Sequence, residues 1–584
     1  MIAISQQNFD KSYLQKKSRI LITIFFAATL YFGNQVFNTS TESYFIIYLT
    51  VILLSISTTL FILEVTNLLF KESEFKIKFA SLIANLFFAV SYGPKIFINY
   101  YSYDDWVWLK YKYEVFNFEY LTTAINYHYI PFFKLYFYPI SLFSPNYFAF
   151  SFSLFFISQL LIITIGIFLK TNNISQRQIL FVLILFAIWP TFQMSRTWYA
   201  GGFWLALPIP FFLILLIYSK EFLEKNIFSF KYFLGIFILS SITVLSSSQI
   251  LLPGTLLLSY LIPIVLCTSS NRKLLLYKVI AIVLATLPST IVALLNRPNI
   301  TDSNINISGL LDGRFIKNLN IFIHEIVFFD KLNEYIFSAY LLFAVILNCI
   351  IFKKINRNII LNKYRIPLLC LGVTIILLWV LQIGLARSWE PYIVRTPYYL
   401  TFPLMGAFFC LTSLLGFFQS KDLRTLKINP YYFEKTQVLL GFCMIAYMLT
   451  ITVSIYFPTK NYIDSTYQRR QFVDDLTRGV CEELSFSSAE SVYFYQYLPF
   501  SFCPNCTNLM GGPTIFLDSL DSTIEIKDAR FFQFFSKIIA ENACPDQAHR
   551  ITFDYNALNV EYTSGVRPGT KMEHFYKTYF KAMH

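Results

Sequence analysis

Two adjacent carboxylates, Asp104 and Asp105, are the residues of this sequence best suited to acid–base chemistry, and they follow a long apolar run. Adjacent like charges disfavour joint ionisation and raise the pKa of one carboxyl group, which suits a general base. Trp106 comes next and supplies the amphipathic ring typical of a membrane interface. The same residues also fit a solvated loop start in which Asp104 caps a helix, and spacing alone leaves both interpretations open.

A second segment could bind an anion. Arg387 and Arg395 flank a short stretch that contains Glu390. A leaving phosphate requires a permanent cation with fork geometry, which arginine supplies and lysine only approximates. In the alternative interpretation the two arginines reach lipid headgroups or pair with Glu390.

Two weaker candidates complete the set. Arg196 and Trp198 lie in one short turn, where they suit contacts to a sugar or anchoring in lipid. A divalent ion is the chemistry to consider for His324, Glu325 and Asp330, but the apolar spacing around them favours an amphipathic interfacial helix with a solvated polar face. We therefore predict no metal site, and a divalent cation remains open as a cofactor.

The composition indicates whether the elements that position these residues lie in water or in a membrane. The chain is 56% hydrophobic and 14% charged, against about 25% charged in soluble domains. This composition predicts an integral membrane protein. The net charge of +13 divides into −3 for the tail from Pro458 and +16 for the preceding part. The positive excess is an orientation signal and predicts no nucleic-acid partner.

Thirteen apolar runs are long enough to cross ~30 Å of hydrocarbon. They start near residues 20, 44, 78, 147, 178, 203, 230, 250, 274, 336, 366, 398 and 437. If the N-terminus is inside, the inside segments hold 24 Lys and Arg and the outside loops hold 11. This asymmetry predicts an inside N-terminus and an outside C-terminus. In the alternative, residues 230–267 form one re-entrant segment.

The predicted fold class is an all-α polytopic membrane domain of about 13 transmembrane helices with a small α/β extracytoplasmic C-terminal domain. Residues 1–19 are the cytoplasmic N-terminus, 20–457 the membrane domain and 458–584 the C-terminal domain. The main outside loops cover about 95–146, 296–335 and 386–397. In the tail, 491–495 and 550–554 alternate like strands and 529–540 is typical of a helix.

The cysteines agree with this sidedness. Five of nine lie in or beside apolar runs, where a thiol behaves as a small hydrophobe. The other four fall in the outside tail, where an even number predicts two disulfides of open connectivity. A redox motif and a four-cysteine zinc site are the alternatives. The four are Cys481, Cys503, Cys506 and Cys544.

His128 and Lys134 follow the acidic pair in the first large outside loop, within a His-x-x-Pro-x-x-Lys-Leu stretch. A Ser-Pro-Asn-Tyr-Phe approach at 144–148 then leads into the next apolar run. Together with the acidic pair, this pattern resembles the GT-C glycosyltransferases, in particular the branch with bacterial relatives of protein O-mannosyltransferases. The Arg395-Thr-Pro-Tyr-Tyr segment is similar to the carrier-phosphate-binding arginine segment of that family. The resemblance covers residues 100–170 and the general layout, not the tail, and two apolar runs precede the acidic loop.

The resemblance implies a polytopic enzyme of a cytoplasmic (inner) bacterial membrane that moves a sugar from a polyprenyl-phosphate carrier to an acceptor hydroxyl on the outer face, with inversion. Asp104 or Asp105 would be the base. The carrier phosphate would meet Arg387, Arg395, His128 and Lys134; in the alternative, His128 is satisfied by loop backbone and Lys134 meets headgroups. Candidate sugar or acceptor contacts are Trp106, Arg196, Trp198 and Glu390.

The partners would then be the lipid-linked donor, a glycan, lipid or protein acceptor, and membrane lipids. A polymerase or ligase for lipid-linked glycans is one alternative, and a lipid or solute transporter is the other. A transporter should carry ionisable residues within its spans, and the sequence places almost all charges at their ends.

Overall fold

The structure is a computed structural model of the 584-residue chain. The residues it describes are 20–33, 35, 44–70, 75–98, 116–123, 129–143, 147–189, 199, 206–225, 230–247, 250, 252–267, 272–296, 308–327, 335, 365–386, 400–414, 474–475, 478, 491–492 and 552–553.

Helices dominate the described residues. In chain order the α-helices are α1 (Ile20–Gly33), α2 (Tyr44–Phe70), α3 (Phe75–Ile98), α4 (Phe118–Thr122), α5 (Pro131–Ser141), α6 (Tyr147–Thr171), α7 (Gln176–Ile188), α8 (Pro208–Glu224), α9 (Phe230–Ser246), α10 (Pro253–Leu266), α11 (Arg272–Leu295), α12 (Ser308–Leu311), α13 (Arg314–Ile321), α14 (Arg365–Ala386) and α15 (Thr401–Leu414). A π-helical turn, Phe322–Val327, follows α13.

Within the described ranges, five helices are long and apolar enough to cross a membrane, which makes the chain an integral membrane protein. Their apolar stretches are Ile46–Thr66, Lys78–Ile98, Tyr147–Thr171, Arg272–Leu295 and Arg365–Gln382. The apolar helices α1, α7, α9, α10 and α15 are shorter. Helices occupy eleven of the thirteen predicted runs, while the runs near 336 and 437 lie outside the described residues. The count of thirteen spans therefore stays a prediction.

Helix α3 lies between α2, α6 and α7. Its Phe88 and Tyr92 are fully buried, and the Phe88 ring centroid lies 5.5 Å from that of Phe155 on α6. A Cβ at Gly93 would lie 2.2 Å from Val51 on α2, so the absence of a side chain permits this close approach. Such aromatic packing buries large areas and fixes the helices against one another.

Contacts between helix ends define two ends of this bundle. At one, which we call the inner end, Lys78 Nζ lies 2.9 Å from Glu64 Oε1 and Gln178 Nε2 donates to Thr412 O at 3.1 Å. At the other, the outer end, Ser151 Oγ donates to Ile96 O at 2.8 Å. Each pair joins residues that the predicted topology puts on one side. Which end faces the cytoplasm stays a prediction.

Lysines close two helix termini at the inner end. Lys220 of α8 donates to Thr171 O at the end of α6. Lys278 of α11 donates to Phe222 O, at 3.2 Å, and to Lys225 O at the end of α8. A cation is stabilised there because the last carbonyls of a helix lack intrahelical donors and carry the negative end of its dipole.

Residues 230–267 form two helices, α9 and α10, and both pack against α11. Lys278, near the start of α11, contacts the end of α8, while Ser289 Oγ, further along, lies 3.3 Å from Ser240 Oγ of α9. Helix α9 therefore runs alongside α11 from the inner end. Both α9 and α10 are shorter than the five helices long enough to cross a membrane, so two spans and one re-entrant segment both remain open.

The structure describes residues that bear on two predictions, the start of the first outside loop and the strands of the tail. Helix α3 extends to Ile98, so the outside loop predicted to begin near 95 begins later. In the tail, Ser491 pairs with Thr552 and Val492 with Phe553 in parallel register. Both pairs lie in segments predicted as strands. The predicted helix at 529–540 lies outside the described residues, and the α/β tail domain stays a prediction.

Candidate functional site

Most of the predicted site residues lie outside the described part of the chain. These are Asp104, Asp105, Trp106, His128, Arg196, Trp198, Arg387, Glu390 and Arg395, together with Cys481, Cys503, Cys506 and Cys544. Lys134 is described. The structure describes the helix ends on each side of these residues, and these ends determine where the chain enters and leaves the predicted site.

A buried polar cluster joins four such anchor points at the outer end. Ser151 Oγ of α6 donates to Ile96 O of α3 and is hydrogen-bonded to Tyr199 Oη at 2.8 Å. Tyr92 Oη of α3 donates to Trp189 O, directly after α7. Trp189 takes part through its backbone carbonyl, and the side chains of all four residues are buried. We call Tyr92, Ser151, Trp189 and Tyr199 the outer-end cluster.

The outer-end cluster brings together chain segments that are distant in sequence. Ile96 precedes the acidic pair by eight residues, and Trp189 and Tyr199 stand on either side of Arg196. The Trp189 ring also packs edge-on against Phe408 of α15, with centroids 5.3 Å apart. Helix α15 follows the segment with Arg387 and Arg395 and packs against α14, which precedes it.

Lys134 is buried in α5, with 1% of its surface exposed. Its ammonium donates to Tyr120 O and Thr123 O, at the end of α4, and lies 4.7 Å from the centroid of the Tyr120 ring. The Asn117 side chain caps the other end of α4 by accepting from Tyr120 N at 2.8 Å. Lys134 thus closes a loop that contains His128, and binding of a phosphate by Lys134 stays a prediction.

We expect Lys134→Met to lower the thermal stability of the protein, because the buried carbonyl of Tyr120 loses a charged donor at a cost of about 1–3 kcal/mol and the part-buried carbonyl of Thr123 loses one at a smaller cost. The measurement is thermal unfolding of purified protein in lipid nanodiscs, with the exposed Lys317 changed to Met as the control. A Lys134→Met protein with wild-type stability but weakened binding of polyprenyl phosphate would contradict this positioning role.

Lys95 is a residue that the sequence analysis missed. It was counted in the outside loop, but it lies in the last turn of α3, is 1% exposed and has its Nζ 5.5 Å from the centroid of the Tyr92 ring. A buried charge in a membrane helix is costly and commonly marks function. The signal in the sequence is a lone lysine after Gly93-Pro94 at the end of an apolar run.

The tail reaches the same end of the bundle. Tyr147 Oη, in the first turn of α6, donates to Asp474 Oδ1 at 2.8 Å. Asp475 Oδ1 accepts from Arg478 Nη2 at 2.8 Å, and Arg478 Nε donates to Asp474 O at 3.3 Å. Tyr147 belongs to the 144–148 stretch that carries part of the family resemblance. The contact therefore connects the tail to the region of the predicted site.

The structure also describes other groups that could bind a metal ion or react, namely His324, three cysteines and Tyr136. No cluster of three or more His, Cys, Asp or Glu suited to a metal ion occurs there. His324 is exposed on the π-helical turn, whose Phe322 ring packs on Trp379 with centroids 5.3 Å apart. Cys267, Cys370 and Cys410 are free thiols, as expected of cysteines in or beside spans. Burial raises the pKa of the Tyr136 phenol on α5, opposed by a hydrogen bond with Ser153, so this phenol stays neutral.

Comparison of the chain with protein-family models, with curated proteins and with solved structures gives no match.

Proposed function

We propose that the protein is a membrane glycosyltransferase that moves a sugar from a polyprenyl-phosphate carrier to an acceptor hydroxyl on the extracytoplasmic face. The donor phosphate binds among Arg387, Arg395 and His128. An aspartate of the pair Asp104–Asp105 accepts the proton of the attacking hydroxyl.

The observation that carries this proposal is the meeting of the loop anchors in the outer-end cluster. The chain leaves α3 toward the acidic pair beside Ser151, and Tyr199 follows Arg196 at the same point. Trp189 connects this cluster to α15, which comes directly after the arginine segment. Loops that start from neighbouring anchors can share one substrate, which is the requirement for a base and a phosphate ligand to act together.

The chemistry of the proposed site follows from charge. The leaving polyprenyl phosphate gains negative charge as the bond to the anomeric carbon breaks, and two arginines stabilise it through parallel hydrogen bonds. A histidine near its ordinary pKa can protonate and add to this stabilisation. Because two arginines can neutralise one phosphate, the proposal needs no metal. The apolar helices provide the groove for the polyprenyl chain.

The distribution of charge within the described spans supports an enzyme over a transporter. In α2 and α3 the charges are near the ends: Glu64 and Lys78 pair at the inner end and Lys95 lies near the outer end. The described middle of these helices and of α6 holds uncharged polar groups, such as Asn85 and Gln159. A proton- or ion-coupled transporter is expected to place ionisable groups near the midplane.

The test is turnover of a lipid-linked donor by the purified full-length protein in liposomes. A panel of polyprenyl-phosphate sugars with labelled sugar is offered together with candidate acceptors. We expect release of polyprenyl phosphate from at least one donor. Uptake of a lipid-linked sugar across the liposome membrane without its cleavage would contradict the proposal and favour a transporter.

A further inference from the structure

A ring of hydrogen bonds closes in the middle of α2, α3 and α6. Ser55 Oγ donates to Asn85 O at 3.0 Å, and Asn85 Nδ2 donates to Thr59 Oγ1 at 3.0 Å. Thr59 Oγ1 donates to Gln159 Oε1 at 3.3 Å, and Gln159 Nε2 returns to Ser55 Oγ at 2.8 Å. All four side chains are fully buried. We call these residues the polar ring.

Four more buried oxygen atoms beside the polar ring have no hydrogen-bond partner among the described residues. They are Asn85 Oδ1, Thr58 Oγ1, Ser81 Oγ and Ser158 Oγ. Ser81 is one helical turn from Asn85 on α3, and Thr58 shares a face of α2 with Ser55. Each residue is at most 3% exposed. An unpartnered polar atom at such depth is costly, so four of them around one polar centre indicate a bound ligand.

We propose that α2, α3 and α6 enclose an internal water-binding site, in which water molecules link these four atoms to the polar ring. Three of the atoms are hydroxyl groups that need an acceptor as well as a donor, and Asn85 Oδ1 needs a donor. Water supplies both functions. A buried water makes about three hydrogen bonds, so about two molecules satisfy the set.

A monovalent cation fits the same oxygens less well. It cannot accept the hydroxyl protons, and a net charge at this depth requires a counter-charge. The nearest described carboxylate of α2 is Glu64, which is paired with Lys78 at 2.9 Å. On α3, Phe88, whose ring packs on Phe155 of α6, lies between Asn85 of the polar ring and Tyr92 of the outer-end cluster. The water-site proposal uses none of the proposed catalytic residues and stands independently of the proposed function.

The sign of a stability change tests the proposal. If Thr58, Ser81 and Ser158 bind water, then Thr58→Val, Ser81→Ala and Ser158→Ala each remove satisfied hydrogen bonds, and the melting temperature of the full-length protein in nanodiscs falls by roughly 2 °C or more. If the hydroxyls are dry, their removal relieves a desolvation cost and the melting temperature stays or rises, which would overturn the proposal.

Ser57→Ala is the matched control, because the buried Ser57 lies beside Thr58 but donates to Leu54 O of its own helix at 2.9 Å. We expect a smaller change there. Should a variant fail to fold, a high-resolution electron-microscopy map of the unaltered protein decides: density about 2.7–3.2 Å from Asn85 Oδ1 supports the site, and none overturns it. Wild-type melting temperatures are also compared in sodium, potassium and choline chloride at equal ionic strength. Equal values support water, and a selective rise with one cation would overturn it.

Discussion

Replacing the catalytic aspartate by asparagine is expected to reduce sugar transfer by about 10²–10⁴-fold, the usual contribution of a general base. Asparagine has nearly the same shape but cannot accept the proton of the acceptor hydroxyl. A base acts in the transition state and contributes little to binding of the ground state. Asp105→Asn or Asp104→Asn should therefore abolish turnover while binding of polyprenyl phosphate, measured by equilibrium titration, stays near the wild-type value.

The two single variants serve as controls for each other, since the sequence does not distinguish the base from its neighbour. We expect one variant to lose far more activity than the other. In the more active variant the pH dependence of the rate should move to lower pH than in the wild type, because the neighbouring carboxylate that raises the pKa of the base has been removed. Full activity in both single variants would remove the acidic pair from the mechanism.

Substitution of Arg395 is expected to show the second large effect. A role that needs only its charge and a role that needs its paired hydrogen bonds predict different activities for Arg395→Lys. If Arg395 binds the phosphate through two parallel hydrogen bonds, Arg395→Lys loses about 10-fold or more, because a charged hydrogen bond contributes about 1.5–3 kcal/mol. Arg395→Ala loses about 10²–10³-fold, as for other groups that stabilise a developing anion. The measurement is turnover of the donor at matched membrane expression.

Arg387 provides the internal comparison, being the same residue type in the same outside segment. If Arg395 only anchors the chain at headgroup level, lysine replaces it with little loss, because both side chains extend to the interface. Wild-type rates for Arg395→Lys would thus assign this residue to lipid anchoring and leave Arg387 as the phosphate ligand to test.

The helices were largely predictable because hydropathy over a run of residues is a local property. The runs predicted near 44 and 147 begin at the first residues of α2 and α6. The run predicted near 203 contains α8, which begins at Pro208, because proline favours the first turn of a helix, where its missing N–H is not needed. Lys95 falls within the outside loop predicted from about residue 95, but it lies in the last turn of α3, where a charged residue is not expected from hydropathy.

The site was less predictable, since its geometry depends on contacts between distant residues. Tyr92 of the outer-end cluster bonds the carbonyl of Trp189, 97 positions later, and nothing in the local sequence indicates that pairing. Lys134 was predicted to meet a phosphate, and the structure adds two carbonyl partners that only tertiary packing could supply. The proposed acidic and arginine segments rest on residue type and resemblance.

The central claim is that the acidic segment and the arginine segment, about 290 residues apart in sequence, lie at one site around the lipid-linked donor, with the arginines on its phosphate and the acidic pair near the reacting sugar. Photolabelling tests it most directly. A polyprenyl-phosphate analogue with a photoreactive group beside the phosphate is bound to the full-length protein in nanodiscs, irradiated, and located by peptide mass spectrometry. The account predicts labels in both 99–115 and 387–399, and loss of both when unlabelled donor competes. Labels confined to the lipid-facing helices, unaffected by the donor, would contradict it.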